Sequence, residues 1–149
     1  MGASDMISML GGGTADTLLM VFVSTLMGYV IGLPLGVCLT IFDADGISPH
    51  PWIYKLLDFV INITRSVPFL ILLILIQPFT KMLVGKSYGT TATIVPLTVA
   101  AAPFIARMVE SSLKEVDKGV IEAAVSLGAK KSTIVTKVLI AEARTSLLV

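Results

Sequence analysis

The feature that most constrains this sequence is an uninterrupted apolar run near its start. No charged residue occurs between Thr17 and Phe42. A helix needs roughly 20 apolar residues to cross the hydrocarbon core of a bilayer, which is about 30 Å thick. Because no water is present there, the backbone polar groups of such a run must bond to one another, as they do in a helix. The sequence therefore predicts an α-helical membrane protein.

Further apolar segments indicate that the chain crosses the membrane several times. We predict a second span at 59–79 and a third at 87–106, and a fourth apolar pattern runs over 134–149. Charged residues make up only 14% of the chain, whereas soluble domains contain about 25%. The predicted fold is all-α and polytopic, one domain over 1–149 with three full transmembrane helices and the start of a fourth.

The distribution of charge predicts the orientation of the spans. Before Thr17 the chain has Asp5 and Asp16 but no Lys or Arg, whereas most of its 11 basic residues follow the third span. Loops that face the cytoplasm collect Lys and Arg. We therefore expect the N-terminus to lie outside and the loop 107–133 to lie in the cytoplasm.

The first span contains glycine at every fourth position, at Gly28, Gly32 and Gly36. Small residues at this spacing allow the backbones of two membrane helices to approach closely. We expect this face to be a helix-packing surface, although the same spacing also arises by chance in glycine-rich segments. Asp58, just before the second span, and Arg65 within it are seven residues apart and share one helix face, and Arg65 is expected to extend toward the headgroups.

Motifs for chemistry are weak in this sequence. The stretch Val84–Ser87 resembles the end of a phosphate-binding loop, but Thr80 stands where that motif requires its first glycine. His50 lies between prolines, with no Cys or second His for a metal site. We predict no catalytic, cofactor-binding or metal-binding residues in this chain, and no enzymatic activity.

A short charged helix is predicted after the third span, over Val120–Leu127. Asp117 can cap its start by accepting from free backbone amides, and Gly128 can end it in the left-handed conformation. A helix of this length is not stable alone in water. Its apolar stripe of Val120, Ala124 and Leu127 therefore packs on a partner protein or lies on the headgroups as a connector.

The residues of this helix resemble a known signature. Glu122, Ala123 and Ala124, followed by Gly128, are similar to the EAA motif of permease subunits of ATP-binding-cassette (ABC) importers. The resemblance implies a cytoplasmic coupling helix that docks in a cleft of a separate ATPase, which binds the ATP. The family proline that follows the motif is absent here, where Ala141 stands. The implied docking residues are Glu122, Ala123, Ala124, Leu127 and Gly128.

A closer resemblance covers nearly the whole chain. The stretches "VIGLPLGV", "NITRSVPFLILL" and "IVPLTVAAAPFIARMVE" look like the methionine importer permeases. This implies the type I ABC importer permease fold in a bacterial inner membrane, working as a homodimer with two ATPase subunits and an external methionine-binding lipoprotein. The glycine repeat is a further candidate for the dimer contact. Arg107 and Glu110 are expected to tether the loop through charge pairs, and no substrate-binding residue is predicted.

The resemblance also raises a question about length. Methionine permeases of this family have five spans, and this sequence ends within the fourth. The function implied is import of methionine or D-methionine by the assembled transporter. The alternative is a truncated, non-transporting small membrane protein that binds a partner or regulates assembly.

Overall fold

The structure, a computed structural model, describes residues 2–148, and within that range the side chains at positions 3 and 148 are not described. Every regular element in this range is helical, which confirms the predicted all-α fold. The longer helices are α1 (Ala3–Phe42), α2 (Pro51–Ser66), α3 (Phe69–Val84), α4 (Thr90–Lys114) and α5 (Lys118–Ser126). Short helical pieces follow: α6 (Lys131–Thr133), a π-helical turn (Ile134–Leu139), α7 (Ile140–Glu142) and α8 (Arg144–Leu148).

The first helix is longer than the span predicted for it. α1 begins at Ala3 rather than near Thr17, and the Asp5 carboxylate accepts from the backbone N–H of Gly2 at 3.1 Å at its start. In the described range, Ser4–Phe42 and Thr90–Lys114 are each long and apolar enough to cross a membrane. The helix pair α2 and α3 also passes this test when it is taken as one bent span.

The predicted second span, 59–79, is divided between two helices. α2 ends at Ser66, α3 begins at Phe69, and the chain bends by 112° between them. The cause is Pro68, which lacks an N–H donor and keeps the residue before it, Val67, out of the helical region. Val67 is extended, with φ −79° and ψ 124°. The predicted second span is therefore two helices joined by a sharp bend.

The predicted third span, 87–106, lies within a helix that runs beyond it. α4 contains Pro96 and Pro103 and extends to Lys114. The connecting segment therefore begins at Glu115, later than the predicted start of the loop at 107. Both prolines are buried in the bundle, where neighbouring groups can satisfy the carbonyls that they leave free.

The closest helix–helix contact joins α1 and α4 through the glycine face. A Cβ atom at Gly32 would lie 2.7 Å from the carbonyl oxygen of Ala102, and one at Gly36 would lie 2.6 Å from that of Ala106. Only a hydrogen atom fits at these positions, so the two backbones touch. The glycine face is therefore occupied within the chain and is not available as the dimer contact that the repeat suggested.

The segment predicted to begin a fourth span is built from short helical pieces that pack on the end of α4. Leu139 in the π-helical turn and Ala143 are buried against Val109 and Leu113 of α4. Val149, the last residue of the predicted range, lies outside the described residues. The result is a small apolar core at the end of the bundle that carries α5.

Candidate functional site: the α5 surface and its charged support

The start and end of α5 are fixed by local contacts. The Asp117 carboxylate accepts from the backbone N–H of Gly119 at 2.6 Å. At the other end Gly128 has φ +76°, its N–H donates to the carbonyl of Val125, and that of Ala129 donates to Ala124. This pair of bonds is the Schellman motif, in which a left-handed glycine ends the helix. The boundaries of α5 therefore follow from Asp117 and Gly128, the two residues that the sequence indicated.

The two faces of α5 differ in their surroundings. Ile121 packs against the apolar core at the end of α4, and Ala124 is half-buried. Glu122 and Ala123 are exposed, and the Leu127 side chain, just after the helix, is 87% exposed. Of the predicted stripe, Val120 and Leu127 are exposed and Ala124 is half-buried. The apolar Leu127 side chain is left exposed to the surroundings.

The loop 43–50, which follows α1, forms polar contacts with the start of α5 and with Lys131. The Lys118 ammonium forms an ion pair with Asp45 at 2.9 Å, and this hydrogen bond raises the pKa of Lys118. The Lys131 ammonium donates to the Ser48 hydroxyl at 3.1 Å. Gly46 lies against the last carbonyls of α1, because a Cβ there would be 2.4 Å from the oxygen of Thr40. These contacts connect α5 to the end of α1.

A second set of polar contacts, which we call the charged cluster, lies between α1, α2 and α4. At its centre is Glu110, whose side chain is 5% exposed. Its carboxylate accepts from Arg107 at 2.6 Å, from Lys114 at 2.8 Å and from the Tyr54 hydroxyl at 3.2 Å. Buried carboxylates are costly unless they are paired and hydrogen-bonded, and Glu110 has three donors. The members of the cluster are Asp43, Tyr54, Asp58, Arg107, Glu110 and Lys114.

The outer members of the charged cluster connect it to two other helices. The Arg107 guanidinium pairs with Asp58 of α2 and donates to the Asn62 amide oxygen at 3.1 Å. The Lys114 ammonium forms an ion pair with Asp43, at the end of α1, at 2.6 Å. The hydrogen bond from Lys114 lowers the pKa of Asp43. The cluster therefore ties α4 to both α1 and α2.

Arg107 and Glu110, the predicted tethering residues, form an ion pair with each other, and their other partners lie on α2 and α4. Arg107 and Glu110 contact α2 and α4, whereas the direct ion pair to α5 is Lys118–Asp45. Sequence reasoning missed Asp43, Asp45 and Lys118. The spacing of Arg107, Glu110 and Lys114 along one helix face was a visible signal, but their partners on α1 and α2 lie far away in sequence.

Among residues 2–148 there is no group of three or more His, Cys, Asp or Glu side chains placed to hold a metal ion. His50 is exposed, and its Nδ1 lies 2.8 Å from the carbonyl oxygen of Ser48. What the arrangement offers is a partly apolar surface on a short helix that is capped at both ends, a form suited to contact with another protein.

Comparison with known proteins identifies the family. The sequence model of one protein family, described as the binding-protein-dependent transport system inner membrane component, matches residues 28–149. The chain belongs to this family of permeases. It is 50% identical over 138 residues to the D-methionine transport system permease protein MetI of Yersinia pestis, covering 93% of this chain and 64% of that protein. It is also 50% identical over 131 residues to the Escherichia coli protein of the same name, covering 88% of this chain.

A solved structure has the same fold as this chain. The chain superimposes on one chain of an inward-facing structure of the MetNI methionine ABC transporter with a TM-score of 0.94, at 47% identity. The match covers 99% of this chain and 68% of that one. The type I importer permease fold expected from the sequence is therefore confirmed. The chain spans about three fifths of the length of the curated relatives, 64% and 60% for the two proteins above.

Proposed function

We propose that this chain acts in the permease of an ATP-driven importer that carries methionine across a bacterial inner membrane, and that α5 docks on a separate ATPase. The observation that supports docking best is the outward face of α5, where Glu122, Ala123 and the 87% exposed Leu127 stand on a helix fixed at both ends. Family membership and the names of the relatives support the transport role.

The contacts around α5 provide a path for mechanical coupling. Ile121 packs on the core formed by Leu113 and Leu139, and Lys118 pairs with the loop after α1. A displacement of α5 is therefore transmitted to α1 and α4 together. The ATPase shifts the permease between conformations only if its nucleotide-bound form holds one of them more tightly. In this proposal the ATP is bound by the ATPase, and this chain supplies the surface that follows its movement.

The assembly and substrate are part of the same proposal. Two copies of the permease, two ATPase subunits and an external methionine-binding lipoprotein form the working importer. Methionine is the substrate because the relatives are named as D-methionine permeases and the matched structure is a methionine transporter. In this proposal the chain contributes binding and conformational change, which are all that transport requires of the permease.

The docking surface is tested by charge reversal on α5. The chain is co-expressed with its cognate ATPase, purified in detergent, and the bound ATPase is quantified for Glu122→Arg. We expect recovery of the ATPase to fall at least about tenfold, equivalent to about 1.4 kcal/mol, because a reversed charge enters a desolvated contact. Glu142→Arg is the matched control, because Glu142 is exposed but lies outside α5. Equal recovery for Glu122→Arg and the control would contradict docking through α5.

The orientation of the permease is tested with single cysteines. The sequence contains one cysteine, Cys38, so Cys38→Ser gives a cysteine-free background. Ser4→Cys and Ser126→Cys are then placed at the two ends of the molecule and exposed to a membrane-impermeant maleimide in intact and in permeabilised spheroplasts. We expect Ser4→Cys to react in both and Ser126→Cys only after permeabilisation. The opposite pattern would show that the N-terminus is cytoplasmic.

A further inference from the structure

Arg65 occupies an unusual position for a charged side chain. It lies in the last turn of α2, directly before the bend into α3. Asp58, which pairs with Arg107 in the charged cluster, precedes it by two helical turns, or about 10 Å along the helix. Arg65 therefore lies about 10 Å farther along α2 than that ion pair, and its exposed side chain borders the uncharged half of α4.

Arg65 has no ion-pair partner among residues 2–148. The acidic side chain expected to share its helix face, Asp58, is already bound by Arg107 and by the Asn62 amide. A charged residue inside a membrane span is costly, and such residues mark the paths of substrates and ions. Arg65 is exposed and has no ion-pair partner among the described residues, so its guanidinium is available for an anionic ligand.

A cavity opens beside Arg65 at the bend. It has a volume of about 510 Å³ and lies between the α2–α3 junction and the middle of α4, within the range of roughly 300–1,000 Å³ typical of small-molecule sites. Arg65 and Thr64 are its polar lining residues. The rest of the wall is apolar and includes Val67, Phe69, Leu72, Leu97 and Phe104.

We infer that Arg65 binds the α-carboxylate of the transported amino acid while the apolar wall of this cavity holds its thioether side chain. The inference rests on the proposed function and adds the residue that recognises the substrate. A guanidinium matches a carboxylate with two parallel hydrogen bonds. The position also fits the general pattern in transporters, whose substrate sites form where membrane helices are broken.

A simpler role for Arg65 makes a different prediction. An arginine near the inner half of a span can extend its side chain toward the headgroups and anchor the helix there. Lysine performs this anchoring equally well, but it lacks the planar fork that binds a carboxylate with two bonds. Arg65→Lys therefore separates recognition of the substrate from anchoring of the helix.

The test is direct ligand binding to the assembled transporter. The permease is purified with its ATPase, without the external binding protein, so that selectivity belongs to the membrane part alone. Binding of methionine is compared with binding of methioninamide, in which a neutral amide replaces the carboxylate. We expect the parent protein to bind methionine at least about tenfold more tightly than methioninamide. A difference of this size is the least expected from a hydrogen bond to a charged group. Arg65→Gln and Arg65→Lys should both reduce this preference.

Lys55→Gln is the matched control, because it removes one positive charge from the exposed start of the same helix. It should keep the preference for methionine. The inference is overturned if Arg65→Lys keeps the parent's preference, or if the parent binds both ligands equally, including no detectable binding of either. Arg65→Lys retains the charge, so it decides the question even where Arg65→Gln fails to assemble.

Failure of the proposed function is recognised separately. Methionine uptake by the parent transporter, with ATP and the binding protein, is measured in proteoliposomes. If the parent imports methionine while Arg65→Lys binds as the parent does, only the role of Arg65 is overturned. If the parent imports no methionine, the proposed substrate is overturned. The amino acids that the parent does import are then each compared with the corresponding amide, in the parent and in Arg65→Lys. This comparison decides whether Arg65 binds a carboxylate.

Discussion

The α1–α4 interface and the α5 end of this permease are held together in different ways. Between α1 and α4, Gly32 and Gly36 have no side chain of their own and lie directly against backbone carbonyls and the Ile105 and Val109 side chains of α4. At the α5 end, a short helix is held by one carboxylate cap, a glycine terminus and ion pairs at the surface. The first arrangement depends on shape, whereas the second depends on a few polar contacts.

This difference separates a rigid part of the molecule from a part suited to movement. Close packing leaves the α1–α4 pair one relative position, because interiors at this density do not deform gradually. The contacts of α5 are individually weak, since exposed ion pairs such as Lys118–Asp45 contribute little. The charged cluster lies between the two regions and joins the ends of α1, α2 and α4. We expect mutations to have effects that decrease in this order: interface, cluster, α5.

The largest effect is expected at the glycine interface. In Gly36→Ala, the new Cβ would lie 2.6 Å from the carbonyl oxygen of Ala106 and from the Cβ of Val109, so the helices must separate. Overpacking of this kind lowers the free energy of unfolding by about 1–3 kcal/mol or more, which thermal unfolding in detergent would measure. Gly13→Ala is the control, because nothing lies within 4 Å of a Cβ there, and it should not destabilise the protein. Equal melting temperatures for the two variants would disprove the close contact.

An intermediate effect is expected in the charged cluster. Glu110→Gln keeps the shape of the side chain but removes the charge that faces Arg107 and Lys114, which keep their bonds to Asp58 and Asp43. We expect a loss of about 1–3 kcal/mol in the free energy of unfolding, the range for a hydrogen bond to a charged group. Denaturation of Glu142→Gln, an exposed position, gives the reference. A loss no larger than that of the reference would mean that the cluster does not stabilise the bundle.

The smallest effect on global stability is expected at α5. Asp117→Ala removes the N-cap and should destabilise this helix by about 1 kcal/mol, while the melting temperature of the α1–α4 bundle stays unchanged. Hydrogen exchange of the amides in Lys118–Ser126 would measure the local opening. Asp117→Asn retains a capping oxygen and should protect these amides as the parent does. Faster exchange in α4 as well would indicate that α5 and the bundle unfold together.

The parts of the fold that depend on local sequence were predictable. The charge-free run Thr17–Phe42 indicated a membrane helix, and the glycine spacing indicated a face for close packing. Asp117 and Gly128 indicated the two ends of α5, because capping depends on contacts between residues only a few positions apart. The structure has each of these features.

The parts that depend on distant residues were not predictable. The partner of the Glu110 carboxylate on α2, Tyr54, is 56 positions away, and Arg107 and Asp58 are 49 positions apart. Hydrophobic patterning cannot assign such pairs, because it reports which face is apolar and not which helix covers it. The sharpness of the bend at Pro68 was not predictable for another reason: prolines also occur within continuous membrane helices, including α4, so the residue alone does not decide the angle.

The central claim is that the outward face of α5 contacts an ATPase, and site-specific cross-linking tests it most directly. In the Cys38→Ser background, Leu127→Cys and Ala124→Cys are each treated with a short cross-linker in membranes that contain the cognate ATPase. Leu127 is 87% exposed, whereas Ala124 is half-buried against the chain. We predict a cross-linked permease–ATPase product with Leu127→Cys and little with Ala124→Cys. A product with Ala124→Cys alone, or with neither variant in a complex that still co-purifies, would contradict the claim.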